Sequence, residues 1–356
     1  MPPPGPPRMP PGWGPPFGPG MFQPKARGGF LRLVLALLVV VLLLDLVVVN
    51  LVVLAAPFAS EGRTVRKQTV VDNAGDQSIV AIPITGIIDD DTATQFDNFL
   101  SVAQDDKSVK AIVLEIDTPG GSATASDVIY HRIQRYKSET KIPVIAAMGG
   151  MATSGGYYVA CATDYIYAQP STWTANIGVL LPQFNVSELM TKYGVKETTI
   201  VASGADYKNL GSMFQPDDPK ARAYLQGLVD AAFEQFKNVV REGRKDKLPA
   251  DMTNIFNGRV YTADEAMKLG LVDKIGYQED AYGYAKTKAG LGEVKVVRYL
   301  PPSRLQQLLG ADSILNLSGG KAQSPPSGVT IDGVSVDLRR LAELIAPRPM
   351  YLWRGN

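Results

Sequence analysis

Lys110-Ala-Ile-Val-Leu-Glu-Ile-Asp117 is a β-rich apolar run that stops at Thr118-Pro-Gly-Gly-Ser122, and residues 123–137 behind it carry helical periodicity. The arrangement then recurs: Pro143-Val-Ile-Ala-Ala147, the turn Met148-Gly-Gly-Met-Ala-Thr153, and a helix beginning near Ser154. Short β-rich runs with helices between them specify βαβ crossovers and a largely parallel sheet, because parallel neighbours cannot be joined by a tight turn. Working outward, residues 79–88 read as another strand and 92–104 as a helix with Phe96, Phe99 and Leu100 on one side. Residues 221–242 form a long amphipathic pattern, and residues 262–270 a helix stopped by Gly270. The expected fold class is α/β, and the chain has no internal repeat.

Residues 1–29 are dominated by proline and glycine, a composition that cannot bury a core and stays disordered. Leu33-Val-Leu-Ala-Leu-Leu-Val-Val-Val-Leu-Leu-Leu44 opens an apolar run that continues past Asp45 to Ala56. About 20 apolar residues span a bilayer, against roughly 7 to 15 for the core of a cleaved signal, so 30–57 are expected to be a retained transmembrane helix. Asp45 and Asn50 do not share a helix face, which fits helix association or local tolerance better than an ion path. Lys25, Arg27 and Arg32 before the span balance Arg63, Arg66 and Lys67 after it, so charge does not orient it. The expected plan is a tail at 1–29, an anchor at 30–57, a linker at 58–77, an α/β domain at 78–300 and a second tail at 301–356. Within that last tail, Val336-Asp-Leu-Arg-Arg-Leu-Ala-Glu-Leu-Ile345 has the pattern of a short amphipathic helix.

Composition removes several chemistries. Acidic and basic residues nearly cancel, at 35 against 36, so no basic surface argues for nucleic acid. The single cysteine, Cys161, rules out an intrachain disulfide and thiolate-rich metal sites. The single histidine, His131, rules out a two-histidine zinc site and leaves a Ser-His-Asp hydrolase with one candidate. It lies in a stretch with mixed polar and apolar helical faces and reads as an ordinary helix residue. Hydrolysis by this chain has to manage without histidine.

Two strand-to-helix junctions carry glycine pairs, Gly120-Gly121 and Gly155-Gly156. Glycine lets backbone approach a substrate closely, and a helix start presents unpaired N–H groups, so two such junctions at neighbouring strand ends could hold an oxyanion. Ser154 precedes the second pair, where a serine commonly caps a helix through its hydroxyl. As a nucleophile it would need a proton acceptor instead, and a neutral lysine is the alternative to histidine. Lys192, Lys196 and Lys208 all lie downstream, and spacing does not choose among them.

Five blocks fall in the order of a known family: Asp117-Thr-Pro-Gly-Gly121, Met151-Ala-Thr-Ser-Gly-Gly-Tyr-Tyr158, Thr174-Ala-Asn-Ile-Gly-Val179, Ser203-Gly-Ala-Asp-Tyr-Lys208 and Gly258-Arg-Val-Tyr-Thr-Ala-Asp-Glu-Ala-Met-Lys-Leu-Gly-Leu-Val-Asp273. Over residues 78–299 the chain resembles the signal peptide peptidase A family in its short form, with one catalytic half. The resemblance implies a Clp protease/crotonase-like fold, largely parallel sheets with flanking helices, and a serine endopeptidase with a Ser/Lys dyad. It puts the nucleophile on Ser154, the general base on Lys208 and the oxyanion donors on the backbone N–H groups of Gly121 and Gly155. Where the family often has Thr-Gly-Ser-Ile-Gly, with the serine orienting the lysine, this chain has Thr174-Ala-Asn-Ile-Gly178, which makes Asn176 the lysine-orienting candidate.

The resemblance further implies peptide substrates such as signal-peptide remnants, a ring-like homo-oligomer, and no metal or organic cofactor. It also implies a single-pass protein of the cell (inner) membrane, in contact with the lipid bilayer, with its catalytic domain on the extracytoplasmic side. Two other readings stay open at this stage: an acyl-thioester enzyme with a similar oxyanion site, and a non-catalytic membrane scaffold of the same fold.

Overall fold

The second of the two runs that decide the fold class lies beside the first, parallel to it, in a sheet covered on both faces. The computed structural model describes residues 65–73 and 75–301, together with 37–40, 43–44, 46, 328–331, 334–337 and 350–352. The chain divides into two units, Met1–Glu61 and Gly62–Asn356. In the first, residues 37–40, 43, 44 and 46 are helical, with exposed leucines and valines such as Leu37 and Leu44. The Pro/Gly-rich tail at 1–29 and most of the anchor expected at 30–57 lie outside the described residues. No helix among those described is long and apolar enough to cross a membrane.

In the second unit the described strands are β1 (Arg66–Val71), β2 (Ser78–Ile88), β3 (Val109–Ser122), β4 (Val144–Thr153), β5 (Tyr165–Ala168), β6 (Trp173–Ala175), β7 (Val260–Thr262), β8 (Lys274–Ile275), β9 (Lys295–Leu300), β10 (Gly328–Ile331), β11 (Val334–Asp337) and β12 (Met350–Leu352). The helices are α1 (Asp90–Asp105), α2 (Ala123–Thr140), α3 (Gly155–Ala160), α4 (Ser187–Lys192), α5 (Pro219–Arg244), α6 (Ala263–Lys268) and α7 (Gln278–Lys288). The main sheet runs β1-β9-β2-β3-β4-β5-β8. From β9 to β8 its neighbours are parallel, while β1 is antiparallel to β9, so the sheet is mixed with a parallel centre.

The apolar runs are continuous because both faces are buried. Ile112, Leu114 and Ile116 of β3 join Val144, Ala146 and Met148 of β4 in the larger core cluster, under α1, α2, α3, α5 and α6. The alternate residues Ala111, Val113, Ile145 and Ala147 face α7 through Ala281, Tyr282 and Ala285. Helix α1 seats Phe96, Phe99 and Leu100 as its pattern indicates, each worth about 1.5–3 kcal/mol when fully buried. Its start is capped by Asp89, whose carboxylate accepts from Thr92 N at 2.8 Å. Glu115, the one acid on the buried part of β3, is held by Arg298 at 2.7 Å and by the Tyr282 hydroxyl.

Four expectations are corrected. Residues 66–71, assigned to the linker, form an edge strand, and the β-branched Thr69-Val70-Val71 was its available signal. Thr118–Ser122 and Met148–Thr153 are strand rather than turn, with the β2–β3 and β3–β4 registers shifting after Thr85 and Ile116. Such irregularities re-aim strand ends and are common beside active sites. Val336 and Asp337, placed at a helix start, lie in β11, which pairs with β10 around the intervening Asp332-Gly333, a hairpin dipeptide in sequence. The rest of that proposed helix lies outside the described residues. Finally, β12 of the expected tail pairs with the end of β3.

Arg244 ties α5 to the segment after α6. Its guanidinium forks onto Asp273 at 2.9 and 2.8 Å, both side chains are nearly inaccessible, and Lys247 reaches the same carboxylate at 2.6 Å. Burial works to raise the Asp273 pKa, but the Arg244 hydrogen bonds and charge, then Lys247 and the Ile166 N–H, outweigh it and hold the carboxyl below its ordinary value. A depressed carboxyl contributes stability above its unfolded pKa of about 3.9 and loses it as pH falls through the folded value. Asp273→Asn, which strands the buried guanidinium, is expected to cost about 3–5 kcal/mol in denaturant unfolding and to flatten the acid limb of the stability curve.

Candidate active site

Ser154 stands between β4 and α3 with φ 52° and ψ −114°, in the left-handed region that a serine avoids. Its backbone is fixed from both sides: Ser154 N donates to Ala175 O at 2.6 Å, and Ser154 O accepts from Tyr158 N at 2.9 Å. The side chain does not cap the helix. Its Oγ is buried and has no hydrogen-bond partner among the described residues, in a residue only 1% exposed. The ordinary role of a serine at a helix start is therefore not the role of this one.

The glycines around Ser154 are demanded by close approach. A Cβ on Gly155 would lie 2.5 Å from Ser126 Oγ and 3.2 Å from Gly121 N, so the two backbone segments proposed as oxyanion donors sit side by side. A Cβ on Gly156 would meet Thr118 Cγ2 at 2.5 Å, and one on Gly121 would meet Ile88 O at 2.1 Å. Gly120 takes φ 99°, which needs glycine. Thr118 fastens this corner: its hydroxyl donates to Gly86 O and accepts from Gly120 N at 3.0 Å.

Other contacts hold the turn in place. Asp117 accepts from Met151 N at 3.0 Å, Thr174 Oγ1 donates to Ala152 O at 2.8 Å, and Ser126 Oγ donates to Ser122 O at 2.9 Å. Tyr157 OH donates to Leu271 O at 2.8 Å and Tyr158 OH to Asp127 at 2.6 Å, so the tyrosine pair after Gly156 anchors α3 to its neighbours. Sequence reasoning missed Asp117, Ser126 and Asp127 as positioning groups. The signal for Ser126 was its place one helical turn after Ser122.

Asn176 and Ala175 both take positive φ, 54° and 63°. Asparagine tolerates that region better than most residues, which gives Asn176 a conformational reason to be there. Its Nδ2 donates to Gly258 O at 2.5 Å and its N–H to Arg259 O at 3.0 Å, so it is tied to the segment before β7. Lys208 lies elsewhere in the chain. It is exposed, as are Lys192 and Lys196, and none of the three bonds to Ser154 or Asn176. Among the described residues Ser154, Gly121, Gly155 and Asn176 thus come together, while none of the three lysines bonds to Ser154.

His131 is exposed on α2. Burial pushes the Cys161 thiol up to about 12, which makes it inert as a nucleophile. A cavity of about 1090 Å³ lies over residues 183–222, lined by Phe184, Met190, Lys196, Phe214 and Arg222 among others, and is not at Ser154.

Residues 136–292 match the model of peptidase family S49, and residues 78–192 match that of the NfeD1b N-terminal domain. A protein of Enterococcus faecium named for signal peptide peptidase SppA is 31% identical over 304 residues, covering 82% of this chain and 85% of that protein. The chain belongs to peptidase family S49. Protease 4 of Salmonella typhi is 35% identical over 203 residues, 57% of this chain and 31% of its own length. A solved structure of a membrane-bound stomatin-specific protease mutant in complex with a substrate peptide is 22% identical and covers 66% of this chain and 98% of its own, with a TM-score of 0.41. As an S49 member the chain is a serine peptidase, which removes the acyl-thioester reading.

Proposed function

We propose that this S49 peptidase is a membrane-anchored endopeptidase of the Clp protease/crotonase-like fold, in which Ser154 attacks the peptide carbonyl and Lys208 of a neighbouring copy is the base. The observation that carries the reading is the buried Ser154 Oγ, held on a strained backbone and unused in capping. Lys208 abstracts the Oγ proton, Oγ attacks the carbonyl carbon, and the N–H groups of Gly121 and Gly155 receive the oxyanion. Collapse expels the amine, which Lys208 protonates. Water, giving its proton to Lys208, then releases the acid and restores Ser154.

A lysine works as a base only where burial lowers its pKa toward working pH. Lys208 is exposed in the single chain, and a neighbouring copy that covers it would supply that burial. Exposed apolar side chains crowd the same stretch, among them Tyr207 at 55%, Ile200 at 95%, Tyr193 at 71% and Leu189 at 57%. Exposed apolar side chains of this kind are what an interface covers, which favours a ring-like homo-oligomer that completes each site. Substrates are hydrophobic peptides such as signal-peptide remnants, met at the bilayer by a domain anchored through residues 30–57 on the extracytoplasmic side. The test is cleavage of hydrophobic peptides by the full chain in detergent: Ser154-dependent turnover supports the reading, and turnover surviving in Ser154→Ala sinks it.

The oxyanion assignment carries its own expectation. Gly155→Ala forces a methyl against Ser126 Oγ and toward Gly121 N. It should lower kcat by about 10²-fold or more, the usual loss when one donor is displaced. Adding Ser126→Gly should recover part of that loss. Equal kcat in wild type and Gly155→Ala would show that these groups do not hold the oxyanion.

A further inference from the structure

The buried hydroxyls around the Ser154 turn are committed, with two exceptions. Thr118 Oγ1 serves Gly86 O and Gly120 N, Ser126 Oγ donates to Ser122 O, Thr172 Oγ1 to Gly149 O at 2.6 Å and Thr174 Oγ1 to Ala152 O. Thr153 Oγ1 and Ser154 Oγ have no partner among the described residues, although Thr153 is wholly inaccessible and Ser154 nearly so. The other two buried orphans, the hydroxyls of Tyr136 and Tyr299, belong to α2 and β9. A buried hydroxyl without a partner costs free energy, and Ser154 has a chemical reason to bear that cost. Thr153 has none within the chain.

The two orphans are consecutive and share a neighbour. Thr153 lies opposite Ala175 where β4 meets β6, and Ser154 N donates to Ala175 O. Asn176 comes next, at the position where the family resemblance puts a serine hydroxyl against the lysine. It has no hydroxyl, and its Nδ2 is committed to Gly258 O. A neutral amine that takes the Ser154 proton on its lone pair still has two N–H groups to direct, and a buried donor needs an acceptor.

We propose that Thr153 Oγ1 is that acceptor: it receives an N–H of the Lys208 side chain that reaches Ser154 from a neighbouring copy, and so aims the lysine lone pair at Ser154 Oγ. Thr153 is a positioning residue that neither gives nor takes a proton in the reaction. The proposal rests on the Ser154/Lys208 reading. Within it, the lysine-orienting hydroxyl stands at position 153 instead of 176, on the same corner of the site. The hydroxyls of Thr153 and Ser154 then gain their partner in one event, the arrival of Lys208.

The test measures kcat, KM and thermal unfolding of full chains carrying Thr153→Val, Thr153→Ala or Thr153→Ser, beside Lys208→Ala. Thr153→Val deletes the hydroxyl and nearly keeps the shape. Its kcat for a hydrophobic peptide should fall about ten-fold or more with KM within about two-fold, because the lysine is misdirected while substrate binding is untouched. Its unfolding midpoint should be unchanged or higher, since no hydrogen bond within the chain is lost. Thr153→Ala, which also lacks the hydroxyl, should lose kcat alike. Thr153→Ser keeps the hydroxyl and gives up a buried methyl, so it should unfold earlier yet hold kcat within about three-fold. A threonine kept for packing orders the variants the other way, with Thr153→Ser less active than Thr153→Val. That order, or full kcat in Thr153→Val while Lys208→Ala is inactive, would overturn the proposal. Turnover surviving in Lys208→Ala would instead bring down the dyad, and the proposal with it.

Discussion

Ser154→Ala should lower peptide cleavage by about 10⁴-fold or more, the scale on which removal of a nucleophile acts, without loss of the fold. The hydroxyl makes no hydrogen bond that the fold needs, because the helix start is not capped by it and the backbone bonds to Ala175 and Tyr158 remain in the variant. Ser154→Gly sharpens the case. At φ 52° and ψ −114° a serine is strained and a glycine is not, so Ser154→Gly should be inactive yet more stable by about 1 kcal/mol. A serine kept for structure gives the opposite pair of results, lower stability with activity retained. Thermal unfolding and turnover of the two variants side by side separate the cases.

Lys208→Ala should match Ser154→Ala in lost turnover, while Lys192→Ala and Lys196→Ala keep theirs. All three lysines are exposed in one chain, so none of the changes should move the unfolding midpoint of the domain. The distinction is visible in the pH profile as well. With a lysine as base, activity rises with pH as that lysine loses its proton, and Lys208→Ala removes the rise along with the rate. If Lys208→Ala retains full turnover and Lys192→Ala or Lys196→Ala loses it, the base is reassigned.

The parallel centre of the sheet was legible because β3 and β4 are buried on both faces and read as unbroken apolar runs. The two glycine pairs were legible because both follow β-rich apolar runs, and those runs form the adjacent strands β3 and β4. The continuation of both strands through Thr118–Ser122 and Met148–Thr153 was not, since glycine and proline signal a turn locally, whereas the pairing partners Ile87, Ile88 and Trp173–Ala175 are distant in sequence. For the same reason β1 and β12 were hidden: each is short, and each is specified by the strand it joins. The unused hydroxyl of Ser154 could not be read from a residue type that usually caps. Asn176 was read as a lysine partner from its place in the family block; its Nδ2 and backbone N–H bond to Gly258 and Arg259, and its positive φ gives it a backbone reason to be there as well.

The most direct test of the Ser154/Lys208 dyad shared between copies is co-expression of full chains carrying Ser154→Ala with full chains carrying Lys208→Ala. Each alone should be inactive. Assembled together, they should regain about a quarter of wild-type turnover, as random mixing across a head-to-tail interface gives. A mixed assembly of wild-type size that stays inactive would contradict the account, because no intact Ser154 would then be served by a Lys208 from its neighbour.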